Sequence, residues 1–234
     1  GGLSHCRGRR SRSASGPGAI GRRTSAGVHQ AHNAALALAA VDAFEEAPPP
    51  AATVRRGLAS VRWPGRFDVR RDAAEAPEAN GEAETSARAE TSARAETSAR
   101  GTPTRVFDIA HNPAAAAVLA GQMARALERG ELRRPVVLLA AVLGDKDWAD
   151  LLGPLLDLSD GAVFTDAPSA PAARRWNPRE AARELSPRGP IAVESDFDAA
   201  LRQAKREAGS GTVLVTGSSY TVGDGLRREP ASDR

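Results

Sequence analysis

Between residues 105 and 216 the chain alternates short apolar runs with stretches of helical period, and no other feature restricts its fold as much. Residues 105–109 read as a strand. Asn112-Pro113 then supplies an N-cap and a proline at the first helical position, which opens a helix to about Arg129. Residues 135–143 form an apolar run expected of a strand buried on both faces, followed by a helix over 147–158. A third strand falls at 162–165, and Asn177-Pro178-Arg179-Glu180 reads as a capping box that starts a helix through Leu185. Residues 191–194 and 196–208 repeat the unit, and 212–216 closes it, giving five strands and four intervening helices. Parallel neighbours need crossover connections, so the alternation predicts an α/β fold. The expected sheet is mostly parallel, five- to six-stranded and Rossmann-like, with flanking helices. Function in such sheets sits in the loops at the carboxyl ends of the strands. Those loops begin at Ala110, Gly144, Asp166, Ser195 and Gly217, and they are far more polar than the strands that feed them.

Outside this block large apolar side chains are scarce. Of the 41% of residues counted as hydrophobic, about half are the 48 alanines, so the core must be concentrated in the alternating region. Residues 1–27 are Gly, Ser and Arg and predict a disordered basic arm. Residues 28–62 carry two helices, the first with Leu36, Val41 and Phe44 at helical spacing and the second over about 51–60. A linker is expected at 63–72. A low-complexity insertion follows at 73–104, where the hexapeptide AETSAR occurs three times over 83–100. Six residues do not match a period of 3.6 and the run has no large apolar group, so it predicts a surface loop. The α/β domain is expected over 105–226, and 227–234 as a disordered tail.

The first thirty residues hold six arginines and no acid, whereas the remaining chain has 26 basic and 29 acidic residues. A nearly neutral folded part argues against nucleic acid as a partner, although the arm keeps that reading in play. The lone Cys6 forms no internal disulfide, which suits a reducing cytoplasm. The longest apolar run, eight residues over 136–143, is far short of the roughly 20 needed to span a bilayer, so no membrane association is expected.

Four segments could carry chemistry. Trp63-Pro64-Gly65-Arg66 makes a turn with a planar guanidinium suited to phosphate; taken alone, the four residues fit a hinge with a solvated arginine better. Asp108-Ile109-Ala110-His111-Asn112-Pro113 joins a strand end to a helix start, where unpaired N–H groups lie beside a carboxylate and an imidazole. An anion or ribose site and a plain Asn-Pro cap with an exposed histidine fit it equally. Thr216-Gly217-Ser218-Ser219-Tyr220 opens a buried strand into glycine and two hydroxyls. Lys146, one of two lysines in the chain, lies in the Gly144-Asp145-Lys146-Asp147 loop as a phosphate or carboxylate contact or a plain loop charge.

Taken in order, these pieces resemble the C-terminal part of the folylpolyglutamate synthase/dihydrofolate synthase family of the Mur ligase superfamily. The family's His-Gln-x-x-Asn-Ala helix corresponds to His29-Gln30-Ala31-His32-Asn33-Ala34, and its Trp-Pro-Gly-Arg turn to Trp63 to Arg66. Its Asp-Gly-Ala-His-Asn-Pro loop corresponds to Asp108 to Pro113, with Ile109 in place of glycine. Asp145 to Asp147 matches its Asp-Lys-Asp loop, and Thr216 to Tyr220 its Thr-Gly-Ser-Leu-Tyr ending, with Ser219 for leucine.

The resemblance implies an ATP-dependent amide ligase that phosphorylates a folate or dihydropteroate carboxylate and lets the amine of L-glutamate attack the acyl phosphate. It implies ATP contacts at Asn33, Arg66 and Asp108, with Arg66 at the phosphates and Asp108 at the ribose. His111 and Ser218 would lie near the incoming glutamate or nucleotide as catalytic residues. It also implies that residues 28–62 are remnant helices of a central ATPase domain, that the protein is a monomer, and that Mg2+ is a cofactor. No Gly-Lys-[Ser/Thr] phosphate loop occurs in the chain, so the main ATP and Mg2+ ligands belong to an N-terminal domain not represented here, and no metal ligand is assigned. This reading makes the chain a truncated or misread gene product. A noncatalytic nucleotide- or glutamate-binding α/β module is the alternative.

Overall fold

The computed structural model describes residues 28–44, 49–61, 63–72, 101–185 and 189–229. The basic arm, most of the insertion and the last five residues lie outside them.

Six strands form one sheet in the order β1–β2–β6–β3–β4–β5. They are β1 (Asp68–Arg70), β2 (Thr104–Phe107), β3 (Val136–Ala140), β4 (Gly161–Phe164), β5 (Ile191–Val193) and β6 (Thr212–Thr216). All neighbours are parallel except β1, which pairs antiparallel with β2 through Asp68↔Phe107, Val69↔Val106 and Arg70↔Arg105. The helices are α1 (Val28–Phe44), α2 (Ala51–Ser60), α3 (Pro113–Glu128), α4 (Trp148–Leu158), α5 (Pro178–Leu185), α6 (Phe197–Ala208) and α7 (Ser219–Arg227).

Successive strand residues point to opposite faces, and the two cores follow that alternation. Val136, Leu138, Ala140, Val106 and Leu214 pack on one face against Leu119 and Met123 of α3, Leu151, Leu152 and Leu155 of α4 and Leu185 of α5. Val137, Leu139, Val163, Val213 and Val215 pack on the other against Phe197, Ala200, Leu201 and Ala204 of α6 and Val222 of α7. Strand β6 lies between β2 and β3. The β2-to-β3 crossover therefore passes it on one face, and the return through α6 passes on the other, as right-handed connections require. Each fully buried Leu or Val contributes roughly 1.5–3 kcal/mol, so these two layers dominate the stability.

The six strands agree with the expected five to six; the sixth lies in the linker, where β1 is three residues long and only Val69 is apolar, too little pattern for a strand to be read. Two features depart from the sequence expectation. A seventh helix, α7, follows β6; Gly223 and Gly225 depress its helical propensity, and burial of Val222, Thr221 and Asp224 overrides that cost. The chain expected as a tail is ordered at its start, because Glu229 is 7% exposed and ion-paired. Helices α1 and α2 fall where the spacing predicts them, yet Leu36, Val41 and Phe44 are 71%, 40% and 90% exposed. No helix among the described residues is long and apolar enough to cross a membrane.

Candidate functional site at the strand tips

At the carboxyl end of β2 the Asp108 amide still donates to Val215 O of β6, at 3.2 Å. The Asp108 side chain then joins two segments far apart in sequence. Its Oδ1 accepts from Ala110 N at 2.9 Å, and its Oδ2 accepts from Phe67 N at 2.8 Å. In the reverse direction Ile109 N donates to Gly65 O at 2.9 Å. The Trp63 to Arg66 turn is thus fastened onto the loop that follows β2. Gly65, at φ +76°, is required there: a Cβ would meet Val222 Cγ1 at 2.8 Å and Ile109 Cγ2 at 3.2 Å. Between these fastenings Arg66 is half-buried, its guanidinium carbon 5.8 Å from the centre of the Trp63 ring.

The loop runs directly into α3. Asn112 Oδ1 accepts from Ala115 N at 2.8 Å and Pro113 follows, so the Asn-Pro pair does cap the helix. His111 is exposed, with Nδ1 3.1 Å from Ile109 O. A carbonyl only accepts, so Nδ1–H is the donor in this contact. Of the two alternatives left open by the sequence, the cap and the exposed histidine of the second are both present.

At the neighbouring tip of β6, Gly217 (φ +109°) brings the chain against β3, where a Cβ would lie 2.6 Å from Ala141 O. Ser218 caps α7. Its Oγ accepts from Thr221 N at 3.1 Å and lies 2.7 Å from Thr221 Oγ1, which donates to Ala141 O at 2.6 Å. Because Thr221 spends its proton on Ala141, Ser218 donates its own to Thr221. At 2% exposure Ser218 is thereby committed within the fold, and the exposed hydroxyl at this tip is that of Ser219. Of the two hydroxyls noted in the sequence, the resemblance gave a role to Ser218 alone, because Ser219 stands where the family pattern has leucine.

After β3, Asp145 accepts both contacts from Arg174 Nη2, at 3.1 and 2.9 Å, and Lys146 Nζ lies 3.4 Å from it. The Arg174 hydrogen bond holds the Asp145 carboxyl below the usual carboxylate range. Asp147 caps α4 through Asp150 N. The loop after β4 is tied to α7, where buried Asp224 accepts from Ser169 N and Oγ at 3.1 and 3.0 Å and pairs with Arg227. Neither Asp224 nor Phe67 carried a sequence signal.

The structure thus brings Arg66, Asp108 and His111 together on two fastened segments and sets Ser218 on the adjacent strand tip. Asn33 is exposed on α1, and among the described residues no hydrogen bond or ion pair links it to them. A cavity of about 430 Å3 lies at the opposite end of the sheet, lined by Pro135, Asp160, Pro190 and Glu207. Asp160 there is already engaged by Arg134 and Val136 N. Among the described residues no three His, Cys, Asp or Glu side chains gather to hold a metal ion, so Mg2+ finds no ligand set on them.

A family model described as Mur ligase, glutamate ligase domain, matches residues 93–219. The dihydrofolate synthase/folylpolyglutamate synthase of Mycobacterium tuberculosis is 32% identical over 215 residues, covering 84% of this chain and 37% of that protein. Mycobacterium tuberculosis folylpolyglutamate synthase complexed with ADP superposes with a TM-score of 0.64 at 30% identity, over 87% of this chain and 41% of that one. Escherichia coli FolC in complex with DHPP and ADP gives 0.61 at 28%, over 83% and 38%. The chain spans less than half the length of these relatives. On the match of its α/β domain, the chain belongs to the Mur ligase family, in the glutamate ligase domain.

Proposed function

We propose that this chain supplies one wall of the ATP and glutamate cleft of a ligase that joins L-glutamate to a folate or dihydropteroate. The observation that carries the reading is the fastening of the Arg66 turn to the Asp108 loop, which gathers a guanidinium, a carboxylate and an exposed imidazole at the strand tips. The γ-phosphoryl group of ATP passes to the acceptor carboxylate and leaves ADP. The glutamate nitrogen then bonds to the acyl carbon, phosphate departs and the nitrogen loses a proton. Charge builds on phosphate oxygens, so Arg66, with its fixed fork and permanent charge, serves at that point. Asp108 stands on the nucleotide side with Arg66, and Asn33 is assigned there by motif alone. His111 Nε2 can take up the amine proton, and Ser218 shapes the adjacent turn that presents Ser219. ATP fits these donors; Mg2+ would offset phosphate charge, and the described residues offer it no cluster of ligands. The setting implied is a monomer in a reducing cytoplasm, acting on small molecules.

Isothermal titration with ATP and with glutamate, together with ADP release in the presence of tetrahydrofolate and glutamate, tests the reading. ATP binding that is lost in Arg66→Ala supports it. Absence of binding to the unaltered chain would remove its basis. The second reading, a binding module without turnover, is favoured by the missing phosphate loop and is overturned by ADP release from the chain alone.

A further inference from the structure

We infer that Asp108 serves nucleotide binding through Arg66: its carboxylate is a positioning group that holds the guanidinium-bearing turn in an otherwise unfavourable conformation. The inference rests on the proposed ATP site. Three observations carry it.

Both Asp108 oxygens are occupied by main-chain donors, Phe67 N at 2.8 Å and Ala110 N at 2.9 Å, and hydrogen bonds of this kind to an ionised acceptor are the strong ones. Arg66 lies between two left-handed residues, Gly65 at φ +76° and Phe67 at φ +47°. Glycine adopts that region freely, whereas a phenylalanine does so only when its surroundings compel it. The compulsion visible here is the Phe67 N–H to Asp108 bond, seconded by Ile109 N to Gly65 O at 2.9 Å. Within the turn itself, Arg66 N to Trp63 O is longer, at 3.3 Å.

The side-chain chemistry is selective. Two N–H donors face two oxygens, so an asparagine would turn its own NH2 toward one of them and satisfy a single donor. Releasing Phe67 lets its backbone return to negative φ, which swings the adjacent Arg66 Cα. At the end of the long arginine side chain that rotation displaces the guanidinium by several times the movement at the backbone.

Two measurements on the full chain test this. Binding of ATP and of inorganic tripolyphosphate is measured by titration for the unaltered chain, Arg66→Ala, Asp108→Ala, Asp108→Asn and the Arg66→Ala/Asp108→Ala double variant. The expected result is that Asp108→Ala and Arg66→Ala each weaken both ligands by about tenfold, a loss typical of one charge-assisted contact. For tripolyphosphate, the double variant is expected to lose no more than either single one. Tripolyphosphate binding left intact in Asp108→Ala would mean that Asp108 serves the nucleoside alone, and additive losses of tripolyphosphate binding would mean that the two residues act separately; either overturns the inference. The Phe67 amide should exchange with solvent at least about tenfold faster in Asp108→Ala, and to a lesser extent in Asp108→Asn, while Val106 in β2 keeps its protection. Unchanged Phe67 exchange in a folded variant also overturns it. If the unaltered chain binds neither ligand, the proposed function fails, and the Phe67 exchange still decides whether the clamp exists.

Discussion

Arg105 and Glu229, 124 residues apart, form a buried ion pair in which Nε and Nη2 lie 2.8 and 2.7 Å from Oε2. Their side chains are 3% and 1% exposed. Lys205 Nζ reaches the other Glu229 oxygen at 2.9 Å, and Asp72 Oδ1 accepts from Arg105 Nη2 at 2.5 Å. Burial lowers the Arg105 pKa, but the hydrogen bonds to Asp72 and Glu229 outweigh it and hold the guanidinium above its ordinary value. Its charge is therefore permanent and needs a partner. Glu229→Gln should cost about 3 kcal/mol, the usual loss when one member of a buried pair is removed. Replacing Arg105 and Glu229 together with methionine should recover most of it, since the charges then left without their partner, Lys205 and Asp72, are 31% and 42% exposed and keep their hydration. Urea denaturation of the two variants checks this, and equal losses would contradict it.

Gly65→Ala should destabilise the chain by about 1–2 kcal/mol through the left-handed backbone alone, with the contact against Val222 adding to it. It should also weaken ATP binding, because the displaced Cα is next to Arg66. Gly130, at φ +69° with nothing near a Cβ, is the control: Gly130→Ala should show the backbone cost without any effect on ATP. Thermal melts and ATP titration on both variants separate the two effects.

How much of this was legible in the sequence depended on local signals. Asn112 and Asn177 accept from first-turn amides where the sequence implies caps, because a cap is decided within three or four residues; Asp147 and Asp196, read only as helix starts, cap theirs too. The strands β3 and β6 were legible because burial on both faces leaves an unbroken apolar run. Strand β1 was not, since its pairing depends on β2 across the insertion. The same limit applies to the site. Arg66 and Asp108 were identified by motif, but that Asp108 meets Phe67 is a contact between residues 41 apart, and the positive φ of Phe67 has no signature in a phenylalanine. Ser218 was singled out for its hydroxyl, and its committed hydrogen bonds emerge only once Thr221 and Ala141 are placed beside it.

Acid should destabilise the fold through exposed carboxylates. Arg174 holds Asp145 below the usual range, Arg228 does the same for Asp198, and Arg129 for Glu131. A carboxylate with a lowered folded-state pKa contributes stability above its unfolded value and loses it as pH falls through the folded one. The melting temperature should therefore be flat near neutrality and fall below about pH 4. Because all three pairs face solvent, added salt should flatten the fall. Arg228→Gln should remove the Asp198 share, and would also strip the guanidinium that lies 4.9 Å from the centre of the Phe197 ring. Melts from pH 7 to pH 2 at two salt concentrations check the sign, and a melting temperature that rises on acidification contradicts it.

Deleting residues 83–100, the three AETSAR repeats, should leave stability nearly unchanged. The insertion joins β1 to β2, which pair antiparallel, so it is in effect the loop of a hairpin. Its two ends are held by the Arg70↔Arg105 register and by Asp72 on Arg105, and none of these contacts involves the repeats. The cost of closing a flexible loop grows only logarithmically, so roughly halving it alters stability by about 0.6 kcal/mol, in the stabilising direction. The Glu229 pair offers an internal control, because Glu229→Gln should be no more damaging in the shortened chain than in the full one. A drop of many degrees in melting temperature after the deletion would mean that the repeats pack against the domain, and the hairpin stem would then not be self-sufficient.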